Sequence, residues 1–333
     1  MGAHRTFTAG TEDDGRRLDR IIRAITTVPA SRINRALRKG DIRLNGARTS
    51  ASARVAAGDT ISVYEGLLGS EAASGSPAEG PTGGPSTGEA GTHARVELQN
   101  AAGIVYEDDS IVALNKRVGV LVHGDDSLEQ LVRAYLAARD TAQSAGPTSL
   151  AFTPGPLHRL DRNTSGLVLF SAGIDGARDV SRAIREGRVR KDYIALLDGI
   201  LEHPQIWSDR LARDKSARVT RLATKGRTAR THVTPILHSR HHTLARIRIE
   251  TGITHQIRAQ AAIHGHPLSG DAKYGSRVRV SYLLHSRSLH FSPDCGVVSG
   301  LHLKAQIHDD ARARLVEMFG KESVSDLLRS ELE

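Results

Sequence analysis

The sequence has very little cysteine and no long apolar run. Its single cysteine among 333 residues, Cys295, excludes an internal disulfide framework and is compatible with a reducing compartment. No apolar run approaches the length that crosses a bilayer, and the N-terminus lacks the apolar core of a signal peptide. We therefore expect a cytoplasmic protein that does not associate with a membrane.

Motifs for nucleotide cofactors and for metals are also missing. No GxGxxG follows an expected strand, and no GxxxxGK[ST] is present. The 16 histidines include the dense cluster HSRHH at 238–242, but no cysteine pair, HExxH motif or carboxylate-rich loop accompanies it. A surface loop that contacts RNA explains this cluster better than a metal site does. We expect neither a cofactor nor a metal.

Acidic residues are fewer than basic ones. The chain has 37 Asp and Glu against 46 Lys and Arg, a formal net charge of +9 and a pI near 10.0. This balance indicates a polyanionic partner, with nucleic acid the first candidate and an anionic membrane surface the second. A hydrophobic content of 39% argues against global disorder, so the basic residues belong to a folded protein.

One segment differs in composition from the rest of the chain. Residues 67–97 are dominated by Gly, Ser, Ala, Pro and Thr, and they contain no aromatic residue. Such a segment buries too little apolar surface to offset its ordering entropy, which predicts a flexible linker. The linker separates a small N-terminal domain, residues 14–66, from a large C-terminal domain, residues 98–333.

The N-terminal domain combines two basic helices with strands. Apolar residues recur at helical spacing from Leu18 to Ile25, a second helix ends at Gly40, and Asn45-Gly46 is a strong hairpin signal. One basic helix is most simply a solvated face, but two in succession favour phosphate binding. The candidate RNA-binding residues of this domain are Arg16, Arg17, Arg20, Arg32, Arg35, Lys39 and Arg43.

This segment resembles the S4 RNA-binding module. The matching stretches are RRLDRII, ASRINRALRKGDIRLNGART and VAAGDTISVY. The resemblance implies a compact helix–helix–strand fold that grips structured RNA through its Arg/Lys face.

The C-terminal domain mixes strands and helices without a regular βαβ repeat. Strands are expected at 103–116, 167–170, 190–199 and 242–250, and helices at 128–138 and 254–265. This irregular alternation predicts an α+β fold around a mixed, mostly antiparallel sheet.

A charged loop, HRLDRNTSG at 158–166, leads into an apolar strand and places Asp161 between two arginines. From the loop alone, a turn whose carboxylate is satisfied by backbone amides is the simpler interpretation. The alternative is an ionised nucleophile held by an arginine in a partly dry pocket. Tyr193 on a strand and Arg258 near a helix start are suitable partners, and they favour the second interpretation.

Three stretches together resemble the RluA-type pseudouridine synthase family. They are PLHRLDRNTSGLVLF, RKDYIALLDG and TGITHQIRAQAAIHGHPLSGDAKYG, preceded by IVYEDDSIVALNKRVGVLVH and followed by LLHSRSLHF. The match covers residues 100–305, in the expected order. Together with the S4-like segment, it resembles the branch that acts on large-subunit ribosomal RNA.

The resemblance implies a pseudouridine-synthase-like fold and isomerisation of uridine in RNA without cofactor or metal. Asp161 matches the nucleophile, Tyr193 the aromatic that stacks on the target base, and Arg258 the partner of the aspartate. Arg159 matches an RNA-binding arginine that helps fill the space left by a flipped nucleotide. The expected partner is RNA, most simply ribosomal RNA of the large subunit, with the protein a monomer that needs no protein partner.

Three positions depart from the family pattern. Arg117 stands where the family has proline after Asn-Lys, Ile253 stands where it commonly has arginine, and Gln260 stands where histidine is frequent. The change at Ile253 is the one support for an alternative, a non-catalytic rRNA-binding assembly factor or chaperone. A nucleoside hydrolase is a third hypothesis, but no second carboxylate accompanies Asp161 in its loop.

Overall fold

The structure, a computed structural model, describes residues 3–26, 28–68, 87–142, 150, 152–214 and 216–330. The chain divides into two compact units. The first comprises Met1–Glu97 with Leu131–Pro154, and the second comprises Leu98–Gln130 with Gly155–Glu333. Residues 131–154, which the sequence analysis placed in the C-terminal domain, group with the first unit.

The first unit contains a three-stranded antiparallel sheet and two helices. In chain order these are β1 (His4–Thr8), α1 (Leu18–Ile25), α2 (Ala30–Lys39), β2 (Ile42–Leu44) and β3 (Thr60–Tyr64), with strand order β1-β3-β2. The apolar faces of α1 and α2 pack on the sheet through Ile21, Ile22 and Ile33. Asn45 and Gly46 both have positive φ, as the predicted tight turn requires. The helix–helix–strand order is as expected, but β1 places the start of this sheet before residue 14.

The predicted linker needs a correction. Residues 87–97, assigned to it by composition, belong to helix α3 (Thr87–Ala101), and residues 69–86 lie outside the described part. The helix begins just beyond the last proline of the segment, Pro85, and contains good helix formers such as Ala, Glu, Leu and Gln. Leu98 is fully buried, which anchors the helix. The average composition of residues 67–97 concealed the helix that begins at Thr87.

The second unit is built on a ten-stranded mixed sheet. Its strands are β4 (Ala102–Glu107), β5 (Ile111–Lys116), β6 (Ser165–Ser171), β7 (Val189–Asp198), β8 (Gln205–Asp214), β9 (Val219–Leu222), β10 (Arg227–His238), β11 (His242–Ile249), β12 (Leu284–Phe291) and β13 (His302–Lys304). Their order is β4-β5-β6-β12-β7-β11-β10-β8-β9, with β13 beside β12, and β6–β12 is a parallel pair. The predicted α+β class with a mostly antiparallel sheet is confirmed.

The remaining helices alternate irregularly with these strands along the chain. They are α4 (Leu128–Ala142), α5 (Ile174–Arg185), α6 (Gln256–Ile263), α7 (Asp309–Phe319) and α8 (Lys321–Ser330). Among the described residues, none of the helices is long and apolar enough to cross a membrane.

Side chains alternate between the two faces of the sheet, so each strand contributes to both. One face carries α6, where Ala259 packs on Leu211 and Ala229; we call it the α6 face. The opposite face carries α7 and α8, which pack on Ile194 and Leu244; we call it the α7–α8 face. Tyr193 points to the α6 face because it precedes Ile194 in β7.

Candidate active site

Asp161 lies in the turn just before the fully buried strand β6. The backbone amide of Thr164 donates to the carbonyl oxygen of Asp161, which closes the turn. The Asp161 side chain instead accepts a hydrogen bond from Arg258, with Nη1 to Oδ2 at 3.0 Å. The turn and the long-range partner therefore coexist, since the turn uses the backbone and the partner uses the carboxylate.

Arg258 is fixed on every side. Its Nε and Nη2 donate to the two carboxylate oxygens of Asp271 at 2.6 and 2.9 Å, and the rings of Tyr274 and Tyr282 lie 5.0 and 4.7 Å from its guanidinium carbon. Burial disfavours its charge, but the hydrogen bond to Asp271 and the charges nearby raise the pKa of Arg258 above its usual value. The guanidinium is thus a permanently charged, immobile support for Asp161.

A second nitrogen-bearing side chain faces Asp161. His255, at the N-terminus of α6, has a φ of 58° and places Nε2 3.6 Å from Asp161 Oδ2. Burial lowers the pKa of His255 to about 4, against the opposing charge of Asp161, so at neutral pH this contact is not an ion pair. Its Nδ1 lies 2.8 Å from the hydroxyl of Tyr274, which accepts the Thr220 amide. His255 is therefore an oriented, neutral imidazole beside the carboxylate.

Tyr193 and Asp161 line the same cavity of about 320 Å³ on the α6 face. Tyr193 is 7% exposed, and burial raises the pKa of its phenol to about 12, so the ring is neutral. Ile253 and Leu284 add apolar walls. A planar base would be held here between an aromatic ring and a carboxylate, with most of its surface out of water.

Lys116, which no sequence pattern singled out, supports the loop that carries Asp161. It is completely buried at the end of β5, and its ammonium donates to the carbonyl oxygens of Arg117, Val120 and Arg162 at 2.9–3.0 Å. Burial lowers the pKa of Lys116 to about 8, opposed by the charge of Asp161. Because Arg162 directly follows Asp161, this lysine positions the loop that carries the carboxylate.

The start of β6 fits closely against β12. Gly166 has a φ of 100°, and a Cβ there would lie 2.2 Å from the carbonyl oxygen of Ser286, so only glycine is accommodated. Next to it, Ser165 Oγ lies 2.9 Å from Nδ1 of the buried His285. This contact fixes the loop relative to the strand next to Tyr193.

A second, more basic cavity opens on the other side of Asp161. It has a volume of about 530 Å³ and shares Asp161 and the exposed Arg159 with the first cavity. Three of its cationic residues, Arg213, Arg218 and Lys273, were not predicted from the sequence. Cations around a carboxylate at the mouth of a cleft are suited to hold the phosphates flanking a bound nucleotide.

Comparison with known proteins identifies the family of this chain. A family model described as RNA pseudouridylate synthase matches residues 110–262. The chain is 30% identical over 290 residues to the ribosomal large subunit pseudouridine synthase C of Vibrio vulnificus, covering 84% of this chain and 85% of that protein. The chain belongs to the RNA pseudouridylate synthase family. The resemblance to its RluA-type members is thereby confirmed.

Other family members extend the comparison. The Escherichia coli ribosomal large subunit pseudouridine synthase C is 30% identical over 273 residues, covering 80% of this chain and 78% of that protein. The solved structures of human RNA pseudouridylate synthase domain containing 1 and 4 share the fold. Their TM-scores are 0.52 and 0.54 at 22% and 19% identity, with coverage of 63% and 68% of this chain and 84% and 95% of theirs.

The three departures from the family pattern have structural accounts. The backbone amide of Arg117 donates to the carbonyl of Ala101, a bond that proline could not make. Ile253 packs into the apolar cluster that includes Ala259. Gln260, fully buried, donates to Asp209 and accepts from the Thr231 hydroxyl, so it is well satisfied. None of these contacts involves Asp161 or Arg258.

The cations predicted on the first unit are mostly at its surface. Arg20, Arg32, Arg35, Lys39 and Arg43 are exposed, Arg16 is half-buried, and the exposed Arg17 pairs with Asp19 at 2.8 Å. Arg16, Arg17 and Arg20 line one cavity together with Arg54, which the sequence analysis missed. Arg32, Arg35 and Lys39 recur at helical spacing along α2 and form a second cationic row.

Two other sequence candidates have local structural roles. The HSRHH stretch forms the turn between β10 and β11, where His238 contacts the carbonyl of Leu201. Within the described ranges, no three His, Cys, Asp or Glu side chains are grouped so as to hold a metal ion. Cys295 is buried in the core beside α5.

Proposed function

We propose that this protein isomerises specific uridines of large-subunit ribosomal RNA to pseudouridine, with Asp161 as the nucleophile. The observation that carries the proposal is the Asp161–Arg258–Asp271 arrangement beside Tyr193. Arg258 aims the carboxylate of Asp161, while Asp271 fixes Arg258 and balances part of its charge. The carboxylate is therefore held in one orientation, which nucleophilic attack requires.

The reaction begins with a uridine turned out of the RNA stack into the cavity beside Tyr193. In one route, an Asp161 oxygen bonds to ribose C1′ as the C1′–N1 bond breaks and uracil leaves with the electron pair. The base turns, C5 bonds to C1′, and Asp161 is released. The proton lost from C5 balances the one gained at N1, so the reaction is an isomerisation. Attack at base C6, or assistance to elimination at the sugar, would use the same carboxylate.

Tyr193 supports the turned base by stacking. Its ring is buried in the wall of the cavity and its phenol is neutral, so it offers an apolar surface with a hydroxyl at one end. When the base rotates, that hydroxyl can relay the C5 proton to solvent, because a neutral phenol can accept a proton only as it passes its own on. Arg159, exposed between the two cavities, is suited to fill the space left in the RNA stack.

RNA binding is divided between two domains in this proposal. Residues 14–66 act as an S4-like module that contacts phosphates through the rows on α1 and α2, and residues 98–333 carry catalysis. The curated relatives named for the large ribosomal subunit support ribosomal RNA as the substrate. In this proposal the protein acts in the cytoplasm. It acts as a monomer without an obligate protein partner, because one chain supplies Asp161, Tyr193 and Arg258.

The decisive experiment compares wild type with Asp161→Asn on unmodified full-length large-subunit rRNA transcript. Pseudouridine is mapped by carbodiimide-blocked primer extension. We expect modification at discrete uridines by wild type and a loss of at least about a thousandfold in rate for the variant. Equal inactivity of both proteins at every uridine would instead favour the non-catalytic assembly factor. Release of free uracil, seen by chromatography, would favour the hydrolase.

A further inference from the structure

A lysine without a partner lines the cavity in which the target base would lie. Lys191, on β7, is half-buried, and it lines the cavity of about 320 Å³ together with Asp161 and Tyr193. Within the described residues, its ammonium has neither a hydrogen bond nor an ion pair. A cation withdrawn from water normally has carboxylate or carbonyl partners, as Lys116 has. A ligand that brings an acceptor oxygen would explain this exception.

The surroundings of Lys191 are apolar. Its neighbours across the sheet are Ile249 on β11 and Leu289 on β12, and Leu157 and Ile184 line the same cavity. Burial lowers the pKa of Lys191, and among the described residues no carboxylate opposes this effect. The folded chain therefore holds a cation at a cost in free energy, which a bound acceptor would reduce.

The nearest polar side chain does not provide that acceptor. Nε2 of His158 accepts the backbone amide of Leu169 at 3.2 Å. Burial, together with the charge of Lys191, lowers the pKa of His158 to about 3, so the imidazole is neutral. Its one accepting nitrogen is already used, and the other nitrogen carries a hydrogen. His158 therefore leaves the ammonium of Lys191 available to a substrate.

Strand register gives the order of the groups along the cavity. The start of β6 pairs with a segment of β12 that pairs with Tyr193 on its other side. Because β6 and β12 run parallel, the Asp161 loop, which precedes β6, lies toward the N-terminal end of β12. Lys191 pairs with Leu289, nearer the C-terminal end of β12, and it lies about 6.7 Å beyond Tyr193 on the same face of β7. The order is therefore Asp161, Tyr193, Lys191.

A uridine with its ribose at Asp161 and its base on Tyr193 presents the far edge of the base to Lys191. The ring atom opposite N1 is C4, so its carbonyl oxygen O4 faces the ammonium. The phosphates lie on the other side of Asp161, in the more basic cavity that Arg213 and Arg218 line. A base carbonyl, rather than a phosphate, is therefore the acceptor that fits Lys191.

The same contact is available before and after the base turns. When C5 replaces N1 at ribose C1′, uracil turns about the axis through N3 and C6, which exchanges the positions of O4 and O2. The ammonium therefore faces a carbonyl oxygen in both states. While the base is detached, its negative charge is shared by N1, O2 and O4, and a fixed cation stabilises it. Cytosine carries an amino donor at C4, which an ammonium would repel.

We propose that Lys191 is a further catalytic and specificity-determining residue, whose ammonium donates a hydrogen bond to the uracil carbonyl opposite the bond to ribose. This inference rests on the proposed function, because it takes a uridine in the cavity as the substrate. The C1′–N1 electron pair passes to the base, and the ammonium stabilises the resulting charge without giving up its proton. The contact ends when the pseudouridine leaves the cavity. Lys191 thus selects uracil over cytosine and retains the detached base.

The first test is Lys191→Met, which nearly keeps the length of the side chain and removes its charge and its donors. On full-length large-subunit rRNA transcript, the single-turnover rate at saturating protein should fall about a hundredfold, because one preorganised donor is lost. Affinity should stay within about twofold, since phosphate contacts dominate it. Urea unfolding should show a variant at least as stable as wild type, because an unpaired cation has been removed. A lysine with only a structural role would instead lose stability together with rate.

A change in the substrate tests the contact itself. RNA with 4-thiouridine at one uridine that wild type modifies carries sulfur, a weaker acceptor, in place of O4. Sulfur changes the intrinsic reactivity of the base equally for both proteins, so a comparison of the two isolates the contact. The ratio of the thiolated to the unmodified rate should be about tenfold lower for wild type than for Lys191→Met.

Two further variants serve as controls. Lys225→Met removes an equal charge from an exposed turn before β10 and should keep the wild-type rate. Lys191→Gln keeps a donor without the charge, and its rate should lie between those of wild type and Lys191→Met. A wild-type rate for Lys191→Met, or an equal effect of sulfur on both proteins, overturns the inference. A wild type that forms no pseudouridine would instead refute the proposed function.

Discussion

The same residue type works in opposite environments in two regions of this molecule. In the second unit, Arg258 is 7% exposed and all its partners are protein groups, Asp161, Asp271, Tyr274 and Tyr282. In the first unit, Arg32 and Arg35 project from α2 into solvent. A buried guanidinium whose charge is matched by carboxylates acts mainly by orienting its partners. An exposed guanidinium without a fixed orientation acts mainly through its positive charge.

We therefore expect the largest loss of catalytic rate when Arg258 is replaced by lysine, which keeps the positive charge but not the planar guanidinium. Arg258→Lys cannot bind Asp271 with two parallel hydrogen bonds and also reach Asp161. We expect the single-turnover rate on full-length rRNA to fall about a hundredfold or more, because the carboxylate loses its position. Arg185→Lys, on the surface of α5, is the matched control and should keep the wild-type rate. A near wild-type rate for Arg258→Lys would remove the distinction between the two environments.

Part of this site could be predicted from the sequence. The pairing of Asp161 with Arg258 across 97 residues followed from the family resemblance, which supplies long-range information that local patterns lack. Periodicity also located the main helices and strands, because one-sided burial leaves a repeating trace in sequence. The end of the linker was wrong, since average composition hides a helix that begins inside the segment.

The supports of the site could not be predicted. Asp271 lies within the stretch TGITHQIRAQAAIHGHPLSGDAKYG, but its sequence neighbours do not indicate that it binds Arg258 with both carboxylate oxygens. Lys116 reads as an ordinary polar residue at a strand end, yet it is fully buried among three carbonyl groups. Both roles depend on which backbone groups the fold brings together. Tertiary contacts between distant segments leave no periodic signal in a single sequence.

The next largest effect is expected on the pH dependence of the free energy of unfolding. It distinguishes a buried histidine from an exposed one. Burial lowers the pKa of His285 to about 4, against about 6.5 for an unfolded histidine. Between these values the unfolded chain binds more protons, so the free energy of unfolding falls as pH decreases from 6.5 to 4. The full contribution is about 3 kcal/mol. Urea unfolding of His285→Gln across this range should therefore give a flatter curve than wild type.

The control for His285 is His203→Gln, which changes an exposed histidine in the loop after β7. That variant should reproduce the wild-type curve. Parallel curves for wild type and His285→Gln would mean that the buried imidazole is not neutral in the folded protein. The hydrogen bonds of His285 with Ser165 and the carbonyl of Ala305 argue for the neutral form, because one ring nitrogen can accept while the other donates.

The smallest effect is expected on α2, where charge without fixed geometry should act through binding alone. Combining Arg32→Gln, Arg35→Gln and Lys39→Gln should weaken binding to full-length rRNA about tenfold and lower the salt slope by about two to three. The rate at saturating protein should stay unchanged, because these side chains lie outside the two cavities that Asp161 lines. Filter binding at several salt concentrations and single-turnover kinetics measure the two quantities separately.

Conservative replacements then complete the contrast between the two arginine environments. On α2, lysine in place of Arg32 and Arg35 should restore nearly all the affinity, since a phosphate contact at the surface needs mainly a positive charge. At Arg258, in contrast, lysine should not support the wild-type rate. If lysine fails on α2 as it does at Arg258, the α2 row recognises phosphates through guanidinium geometry rather than through charge. Its arginines would then be preorganised, as Arg258 is.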